Sequence, residues 1–429
     1  MSDASLPGGH EPRRWSWTDP KLRSLVLQGL LAVILIWMAW SILANAQANL
    51  ARRGIASGFG FLENSAGFGI SQTLIPYNES MSYGRAFLVG LLNTLLVAFL
   101  GIIIATIIGF LMGVARLSSN VVIKALASAY VEVTRNLPPL FQIMFWYLAV
   151  LAALPNPRQS LSFGIQPILN GLASGAAGIG LTPVAAFFSN LAGMVAAPGI
   201  FVNNRGLVVP RPLFEPGSEW VGWGIVAGLV LTFVLARWAK RRREATGQQF
   251  PVFWSGVALI VGLPLVLAFA TGMPVAFERP ELKGFNFVGG VRVIPEFVAL
   301  LLALSIYTAG FIAEIVRAGI SSVSRGQSEA AYSLGLKPGL TMRLVVIPQA
   351  MRVIIPPLTS QYLNLTKNSS LGVAVGYPDL VAIFAGTTLN QTGQAIEIIA
   401  ITMAVYLTIS VLTTLVMNWY NRRVALIER

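Results

Sequence analysis

Side chains able to carry out covalent, acid–base or metal chemistry are scarce in this chain. It contains no cysteine, and its single histidine, His10, lies in a polar N-terminal stretch. A disulfide framework and a thiolate metal site are therefore excluded, and zinc catalysis and a Ser-His-Asp triad are effectively excluded as well. The chain also lacks a Gly-Lys dipeptide, so the phosphate-binding pattern Gly-x-x-x-x-Gly-Lys-Ser/Thr is absent. The sequence predicts a chain with no catalytic residue, no metal site and no cofactor of its own.

Charged side chains within apolar stretches are the next candidates, because a charge at membrane depth is costly and often functional. Glu314 and Arg317 are three residues apart, and so are Glu132 and Arg135. That spacing places both members of a pair on one face of a helix. We interpret both as intramembrane ion pairs, for which a structural role is favoured over a functional one.

The polar run Lys367-Asn368-Ser369-Ser370 follows Pro356-Pro357 in another apolar stretch. We expect unwound backbone after the prolines, which is tolerated at membrane depth where it lines a cavity. The lysine can then meet a carboxylate, while free carbonyls and hydroxyls can meet an ammonium group. Hydrogen bonding between helices by the asparagine and the serines is the alternative. Asp379 belongs to the same pathway hypothesis, or instead pairs with the lysine.

A polar segment, Ser321–Leu340, has a helical pattern of its own. Gln327-Ser328 stands where an N-cap belongs, and Glu329 in the first turn suits the positive end of the helix dipole. Gly335, with Pro338 behind it, is a stop signal. The pattern predicts a short amphipathic helix across one face of a membrane, which either is gripped by another protein or only shapes a loop.

Membrane-spanning helices must position all of these residues. The chain of 429 residues is 55% hydrophobic and 11% charged, whereas soluble domains are about 25% charged. A span needs roughly 20 apolar residues. The eight predicted spans are Leu25–Ala44, one within Phe87–Ala115, Tyr130–Leu154, Trp220–Ala236, Val252–Ala270, Ile294–Ile320, one that begins near Leu344, and Ala395–Met417. Cleavage of the first as a signal peptide is disfavoured, because the tail before it is long.

The stretch Pro155–Gly217 is moderately apolar but is interrupted by prolines, among them Pro157, Pro167, Pro183, Pro198, Pro210 and Pro212. We predict that it is an external segment with short interfacial helices. An additional span within it is the alternative.

The basic excess is best explained by membrane topology. A net charge of +13 with a pI of 10.4 would by itself suggest a nucleic-acid binder. Here the basic residues are separated by apolar runs, and most of them fall on the N-terminal side of the membrane if there are eight spans. Because cytoplasmic loops are enriched in Lys and Arg, the sequence predicts that both termini are cytoplasmic and that no nucleic acid binds.

The polar segment carries a family motif. Glu329-Ala330-Ala331, Gly335 and Ile347-Pro348 resemble the EAA loop of ABC-importer permeases, in which Glu-Ala-Ala is followed by three residues, Gly, nine residues, Ile, one residue and Leu-Pro. Val345 for Ile and Ile347 for Leu are apolar exchanges. The resemblance implies that this helix couples the membrane spans to an ATPase, that Gly335 permits the turn, and that Pro348 marks re-entry into the membrane.

Further motifs resemble the polar amino-acid (histidine/glutamine) branch of these permeases. They cover Tyr83–Leu154 and Arg292–Arg422 and include four short runs: Gly90–Leu95, Arg135–Leu140, Ala313–Arg317 and Lys367–Leu371. In the last run, Asn368 replaces the acidic residue of the family's Lys-Asp-Thr-Ser-Leu. We therefore carry over no charge-based substrate contact at Asn368.

The resemblance implies an all-α membrane protein with the five-helix (MetI-like) core of type I ABC importers. This chain adds one N-terminal and two inserted helices, as in the larger Q-type subunits of the Aap/Bzt type. The expected parts are a cytoplasmic tail (1–24), an extra helix with a periplasmic segment (25–82), the first part of the core (83–154), an inserted block (155–292), the rest of the core (293–422) and a second tail (423–429).

By the same resemblance, the chain is the permease subunit of an ATP-driven L-amino-acid importer in a bacterial inner membrane. Implied partners are an ATPase dimer that holds ATP and Mg, a homologous second permease, a periplasmic amino-acid-binding protein, the amino acid and membrane lipid. Two other classes fit the sequence less well. An ion-coupled secondary transporter would leave the EAA segment without a role, and a membrane-embedded enzyme would need carboxylate clusters or metal ligands in its spans.

Overall fold

The computed structural model describes residues 20–52, 54, 57–164, 166–178, 180–182, 184–186, 188–189, 199–248, 250–272 and 275–424. His10 and most of the predicted N-terminal tail lie outside the described residues. Within that range the helices are α1 (Pro20–Arg52), α2 (Tyr83–Ala115), α3 (Val121–Asn136), α4 (Pro139–Met144), α5 (Gln166–Gly178), α6 (Ser218–Thr246), α7 (Val252–Ala270), α8 (Pro295–Ser321), α9 (Arg325–Ser333), α10 (Pro338–Thr341), α11 (Ile347–Asn368), α12 (Leu389–Thr392) and α13 (Ala395–Val424). The π-helical stretches are Phe145–Leu151, Met342–Val346 and Val381–Thr388, and the 3₁₀ turns are Phe59–Glu63, Pro157–Gln159 and Ser369–Val375.

Seven helical stretches in the described residues are long and apolar enough to cross a membrane. They are Arg23–Ala46, Tyr83–Ala115, Ser218–Thr246, Val252–Ala270, Pro295–Ser321, Pro338–Val375 and Ala395–Asn421. Seven of the predicted spans thus have a helical counterpart, and the all-α membrane class is confirmed.

The prediction of one continuous span over Tyr130–Leu154 is wrong. The amphipathic helix α3 ends at Asn136, and a separate, shorter apolar helix covers Pro139–Leu151. The cause is Pro138, since a proline disfavours helical backbone in the residue before it. Leu137 is accordingly extended, with φ −95° and ψ 128°.

The seventh span also breaks later than predicted. Pro356 and Pro357 lie inside α11, which remains helical to Asn368. The chain tightens into a 3₁₀ turn only after that, and the turn ends at Gly376, whose φ is 77°. A proline removes one backbone donor and can be accommodated within a helix, whereas a left-handed glycine ends one.

The centre of the helical core is α8, because small residues let three other helices approach it closely. A Cβ at Gly109 or Gly113 of α2 would lie 2.6 Å from Ile312 or 2.7 Å from Val316. Small residues at helix contacts are the usual means of close association in membranes. In the same way, Gly310 of α8 meets α3, and Gly319 meets α11.

The inserted block forms a helical hairpin that carries a small β structure. Helices α6 and α7 touch where a Cβ at Gly228 would lie 2.7 Å from the Leu259 carbonyl oxygen. The strands are β1 (Leu161–Phe163), β2 (Ile200–Asn203), β3 (Gly206–Val209), β4 (Arg211–Phe214), β5 (Val275–Glu278), β6 (Glu281–Lys283), β7 (Asn286–Val288) and β8 (Val291–Val293). One antiparallel sheet has the order β1-β2-β3-β8, and β4–β5 and β6–β7 form two ribbons. We call these eight strands and their turns the β-cap.

The prediction of only short helices in Pro155–Gly217 is therefore incomplete. Strands β2 and β3 form a hairpin whose turn, Asn204-Arg205, leads into Gly206 with φ 107°. Asn and Gly turns between alternating apolar residues are a hairpin signal. Pro210 stands outside these two strands, where it does not interrupt the pairing.

Candidate coupling site and inner charge cluster

Helix α9 carries the Glu-Ala-Ala motif and begins earlier than predicted. Its N-cap is Ser324, in extended backbone with φ −61° and ψ 142°, and not Gln327-Ser328. Glu329 therefore lies in the second turn. The helix starts early because the Gln327 N–H already donates to the Ser324 carbonyl oxygen at 3.1 Å, without any side-chain cap.

The end of α9 is a glycine-dependent turn. Gly335 has φ 79°, a left-handed conformation that other residues adopt at a cost. Its N–H donates to the Tyr332 carbonyl oxygen at 2.8 Å, and the Leu336 N–H donates to that of Ala331 at 3.1 Å. This pair of bonds is the Schellman arrangement, which satisfies the last carbonyls of a helix. The predicted turning role of Gly335 thus has a definite geometry.

One side of α9 is held by the protein and the other is open. Ala331 is buried, whereas Glu329, Ala330 and Gly335 are exposed, and Leu334 is 82% exposed. The Gln349 side-chain amide donates to Gln327 Oε1 at 3.3 Å, which links α9 to α11. The arrangement presents a short helix outward on a fixed support.

The chain returns from α9 into the helical core through α10 and α11. Pro348 is in the first turn of α11, directly after the π-helical stretch Met342–Val346. An apolar cleft of about 510 Å³ separates this returning segment from the nearby ends of α2 and α8. It is lined by Val114, Leu117, Val316, Met342, Ile347 and Ile354 among others. Because close-packed interiors resist displacement, the cleft leaves the returning segment room to move.

Glu314 is the centre of an ionic cluster near the α9 end of α8. Its Oε1 accepts from Arg317 Nη2 at 2.5 Å, so the predicted pair is formed, and its Oε2 accepts from Arg116. Arg135 Nη1 lies 3.8 Å from the same Oε2. One carboxylate thus joins the end of α2, α3 and α8.

The predicted pair between Glu132 and Arg135 is not formed. Glu132 is exposed, and the Arg135 guanidinium turns to Glu314 and to the Phe311 ring, 5.2 Å from its centre. Arg116, which directly follows the last residue of α2, was not predicted as a partner of Glu314. Among the described residues, no group of three or more His, Cys, Asp and Glu side chains is placed to hold a metal ion.

The serine hydroxyls of the polar run Lys367-Asn368-Ser369-Ser370 donate hydrogen bonds to nearby backbone carbonyls. Ser369 is fully buried and donates to the Thr366 carbonyl oxygen at 2.7 Å, and Ser370 donates to that of Lys367 at 2.7 Å. The lysine side chain is exposed in the last turn of α11, where a cation suits the helix dipole.

Asp379 is buried and does not pair with Lys367. No ion pair in the described residues joins them. Instead, Asp379 Oδ1 accepts the Ala382 N–H at 2.8 Å and so caps the π-helical stretch that follows. The expectation of a Lys367–Asp379 pair failed because the nearest donors to this carboxylate are backbone groups of its own turn.

Two residues of α2 hold the Asp379 turn and were missed as site residues. Asn93 Nδ2 donates to the Pro378 carbonyl oxygen at 2.8 Å, and Thr94 Oγ1 accepts the Leu380 N–H at 3.0 Å. Both are fully buried. The signal was present, since two polar residues stood together at depth in an apolar helix.

The comparisons with known proteins agree with this geometry. Residues 220–426 match the family model described as "Binding-protein-dependent transport system inner membrane component". The chain is 52% identical to the general L-amino acid transport system permease protein AapQ of Rhizobium johnstonii, over 96% of this chain and 94% of that protein. It is 42% identical to the glutamate/glutamine/aspartate/asparagine permease BztB of Rhodobacter capsulatus, over 96% of each. The glutamate/aspartate import permease GltJ of Escherichia coli K12 is 39% identical, with 52% of this chain matching 95% of GltJ. The chain belongs to the binding-protein-dependent inner membrane transport components and, among them, to the amino-acid ABC transporter permeases of the Aap/Bzt type.

Proposed function

We propose that a separate ATPase drives this permease by gripping α9, and that the movement opens the membrane pathway alternately to each side. The observation that carries the proposal is the exposed, supported helix Arg325–Ser333 between α8 and the returning segment. ATP and Mg belong to the ATPase partner. The complete importer also needs a second permease homologous to this chain and an amino-acid-binding protein.

Motion of α9 has two routes into the helical core. Three residues separate α8 from α9, and Gln327 holds the start of α11 through Gln349. These two helices touch where Gly319 meets Ile354, and both line the apolar cleft. Pulling α9 therefore acts on both α8 and α11, as a bistable transporter with two accessible states requires.

We assign the α9 side to the cytoplasm of a bacterium, with both termini there and the β-cap outside. The pairing of β3 with β8 places the chain before α6 and after α7 on one side. Arg135 meets Glu314 near the other end of α8, so the chain crosses between Arg135 and β1. The helix Pro139–Leu151 is the segment available for that crossing, which makes eight crossings in total. The basic run Arg237–Arg243 at the end of α6 then faces the cytoplasm, as the positive-inside rule expects.

The proposed cargo is a broad range of L-amino acids. Support comes from two relatives, since AapQ is named for general L-amino acids and BztB for acidic and amide ones. The polar run Lys367–Ser370 and Asp379 remain the proposed pathway residues. Of these, Lys367 has the exposed charge that suits a substrate carboxylate.

The test is uptake of labelled amino acids into proteoliposomes that hold this chain with its partner subunits. Internal ATP is expected to drive uptake, and an ion gradient alone is expected to drive none. Uptake by this chain alone under a sodium or proton gradient would overturn the proposal and support a secondary transporter.

A further inference from the structure

Three arginines lie near the turn between β6 and β7: two belong to the β-cap, and Arg158 is in the 3₁₀ turn just before β1. Arg158 Nε donates to the Gly284 carbonyl oxygen at 3.4 Å, and its guanidinium lies 4.1 Å from the centre of the Phe285 ring. Arg205 donates to Asn286 Oδ1, and Arg292 Nε donates to the Arg205 carbonyl oxygen at 3.4 Å. We call Arg158, Arg205 and Arg292 the arginine group.

The arginine group has no acidic counterpart in the described residues. Its hydrogen-bond partners are two backbone carbonyls and an amide, and none of the ion pairs includes one of its members. Other basic residues of the β-cap differ, since Lys283 pairs with Glu281 at 3.7 Å and Arg211 faces Glu278 across the β4–β5 ribbon. All three guanidiniums belong to exposed residues. The group is therefore a local positive charge with no ion-pair partner among the described residues.

The surrounding structure holds these side chains in place before any partner arrives. The rings of Phe201 and Phe287 pack with centres 4.5 Å apart and fix the β6–β7 ribbon against the sheet. Asn203, itself buried, accepts the Arg205 N–H at 2.9 Å. A guanidinium that is already oriented loses less freedom when it binds a carboxylate, and it can do so with two parallel hydrogen bonds.

Beside the group there is space for a carboxylate. A cavity of about 40 Å³ is lined by Arg205, Arg292, Asn203 and Asn286 among others. A cavity of this size holds a few water molecules, since about 10–15 Å³ is sufficient for one. The tip of an aspartate or glutamate side chain fits such a space, where the two guanidiniums supply hydrogen-bond donors.

On the outside, the soluble partner of an ABC permease is its amino-acid-binding protein. We propose that the arginine group is a docking site for acidic side chains on that binding protein. The inference rests on the proposed function for the identity of the partner and for the side of the membrane. Its consequence reaches the core, because β8 leads through the single residue Ile294 into α8. Docking on the β-cap then acts on the helix that carries Glu314 and continues to α9.

The test is the affinity of the purified, amino-acid-loaded binding protein of the same importer for the complete transporter in nanodiscs. The double variant Arg205→Glu/Arg292→Glu is expected to raise the Kd at least tenfold. In the unchanged protein the Kd is expected to rise steeply between 50 and 300 mM NaCl, because exposed charge pairs are screened by salt. The double variant is expected to lose most of that dependence.

A matched control variant and a milder variant distinguish a loss of docking from a folding defect. Arg211→Glu makes the same kind of charge change on the β4–β5 ribbon and is expected to alter the Kd less than twofold. Arg292→Gln removes one charge and is expected to raise the Kd about threefold. Basal ATPase activity and elution volume should be unchanged in all three variants.

Several outcomes would overturn the docking site. One is a Kd within twofold of the unchanged value in an assembled double variant, and another is salt-independent binding in the unchanged protein. A third is a defect that appears only when the nanodiscs contain anionic lipid, which would assign the group to the membrane. Since binding is measured without transport, intact docking combined with absent ATP-driven uptake would reject the proposed function and not the docking site.

Discussion

The helical core around α8 and the inserted hairpin of α6 and α7 are both apolar, yet they use their apolar residues differently. In the most apolar stretch of α8, 56% is buried inside the protein, against 11% in α6 and 17% in α7. Hydropathy alone does not separate these helices, because lipid and protein interiors are similarly apolar. The difference lies in the number of neighbouring helices, since small residues bring α2, α3 and α11 onto α8, while α6 and α7 approach mainly each other. Sequence changes in the core should therefore be far more costly than similar changes in the hairpin.

The sharpest test of that difference is a large side chain at matched glycines. Gly109→Leu places a side chain against Ile312 and the backbone of α8 and is expected to destabilise the protein by about 3 kcal/mol. Gly222→Leu in α6 has no heavy atom within 4 Å of the new Cβ and is expected to be neutral. The apparent Tm in detergent and the amount of membrane-inserted protein measure both. Equal losses at the two sites would contradict the comparison.

Removal of a charged side chain should also destabilise the core more than the inserted block, although by less than the glycine substitution does. Glu314→Gln leaves Arg116, Arg135 and Arg317 without their shared carboxylate and is expected to cost on the order of 2 kcal/mol. Glu281→Gln, which removes the exposed partner of Lys283, is expected to change stability by less than about 0.5 kcal/mol. Thermal unfolding of both variants at low and high salt provides the measurement. A neutral Glu314→Gln would mean that the cluster does not hold the three helices together.

The smallest stability effect is expected at the turn after α9. Gly335→Ala forces a Cβ into left-handed backbone and should cost about 1 kcal/mol locally. Gly339→Ala, in helical backbone with no atom within 4 Å of the new Cβ, should be neutral or slightly stabilising. Because this turn sets the orientation of α9, we expect ATP-driven uptake to fall severalfold in Gly335→Ala and not in Gly339→Ala. Similar uptake by both would remove Gly335 from the coupling account.

Length and hydropathy predicted the helical spans well, because a run of 20 or more apolar residues has few other uses. The end of α9 was also predictable, since Gly335 follows a helical pattern and is a stop signal. The break between α3 and α4 was missed because hydropathy alone does not register Pro138, which acts on the residue before it.

Pairings across the fold could not be predicted from local spacing. Glu314 and Arg317 lie in one helix, so their three-residue separation was sufficient to predict that they pair. Glu132 and Arg135 have the same separation, yet Arg135 turns to a carboxylate that α8 places beside it. The contact of Arg116 with Glu314 joins residues 198 positions apart and depends on how α2 packs on α8. The β-cap likewise depends on β3 meeting β8 across the whole α6–α7 hairpin.

The most direct measurement of the central claim compares two glutamate-to-lysine variants on the α9 side. Glu329→Lys reverses an exposed charge on α9 itself, while Glu244→Lys makes the same change at the exposed end of α6. Each is reconstituted with its partner subunits, and amino-acid uptake and ATPase activity are recorded at equal amounts of transporter. We predict that Glu329→Lys lowers ATP-driven uptake at least tenfold and that Glu244→Lys leaves it unchanged. Normal uptake by Glu329→Lys at normal abundance would contradict the assignment of α9 as the coupling helix.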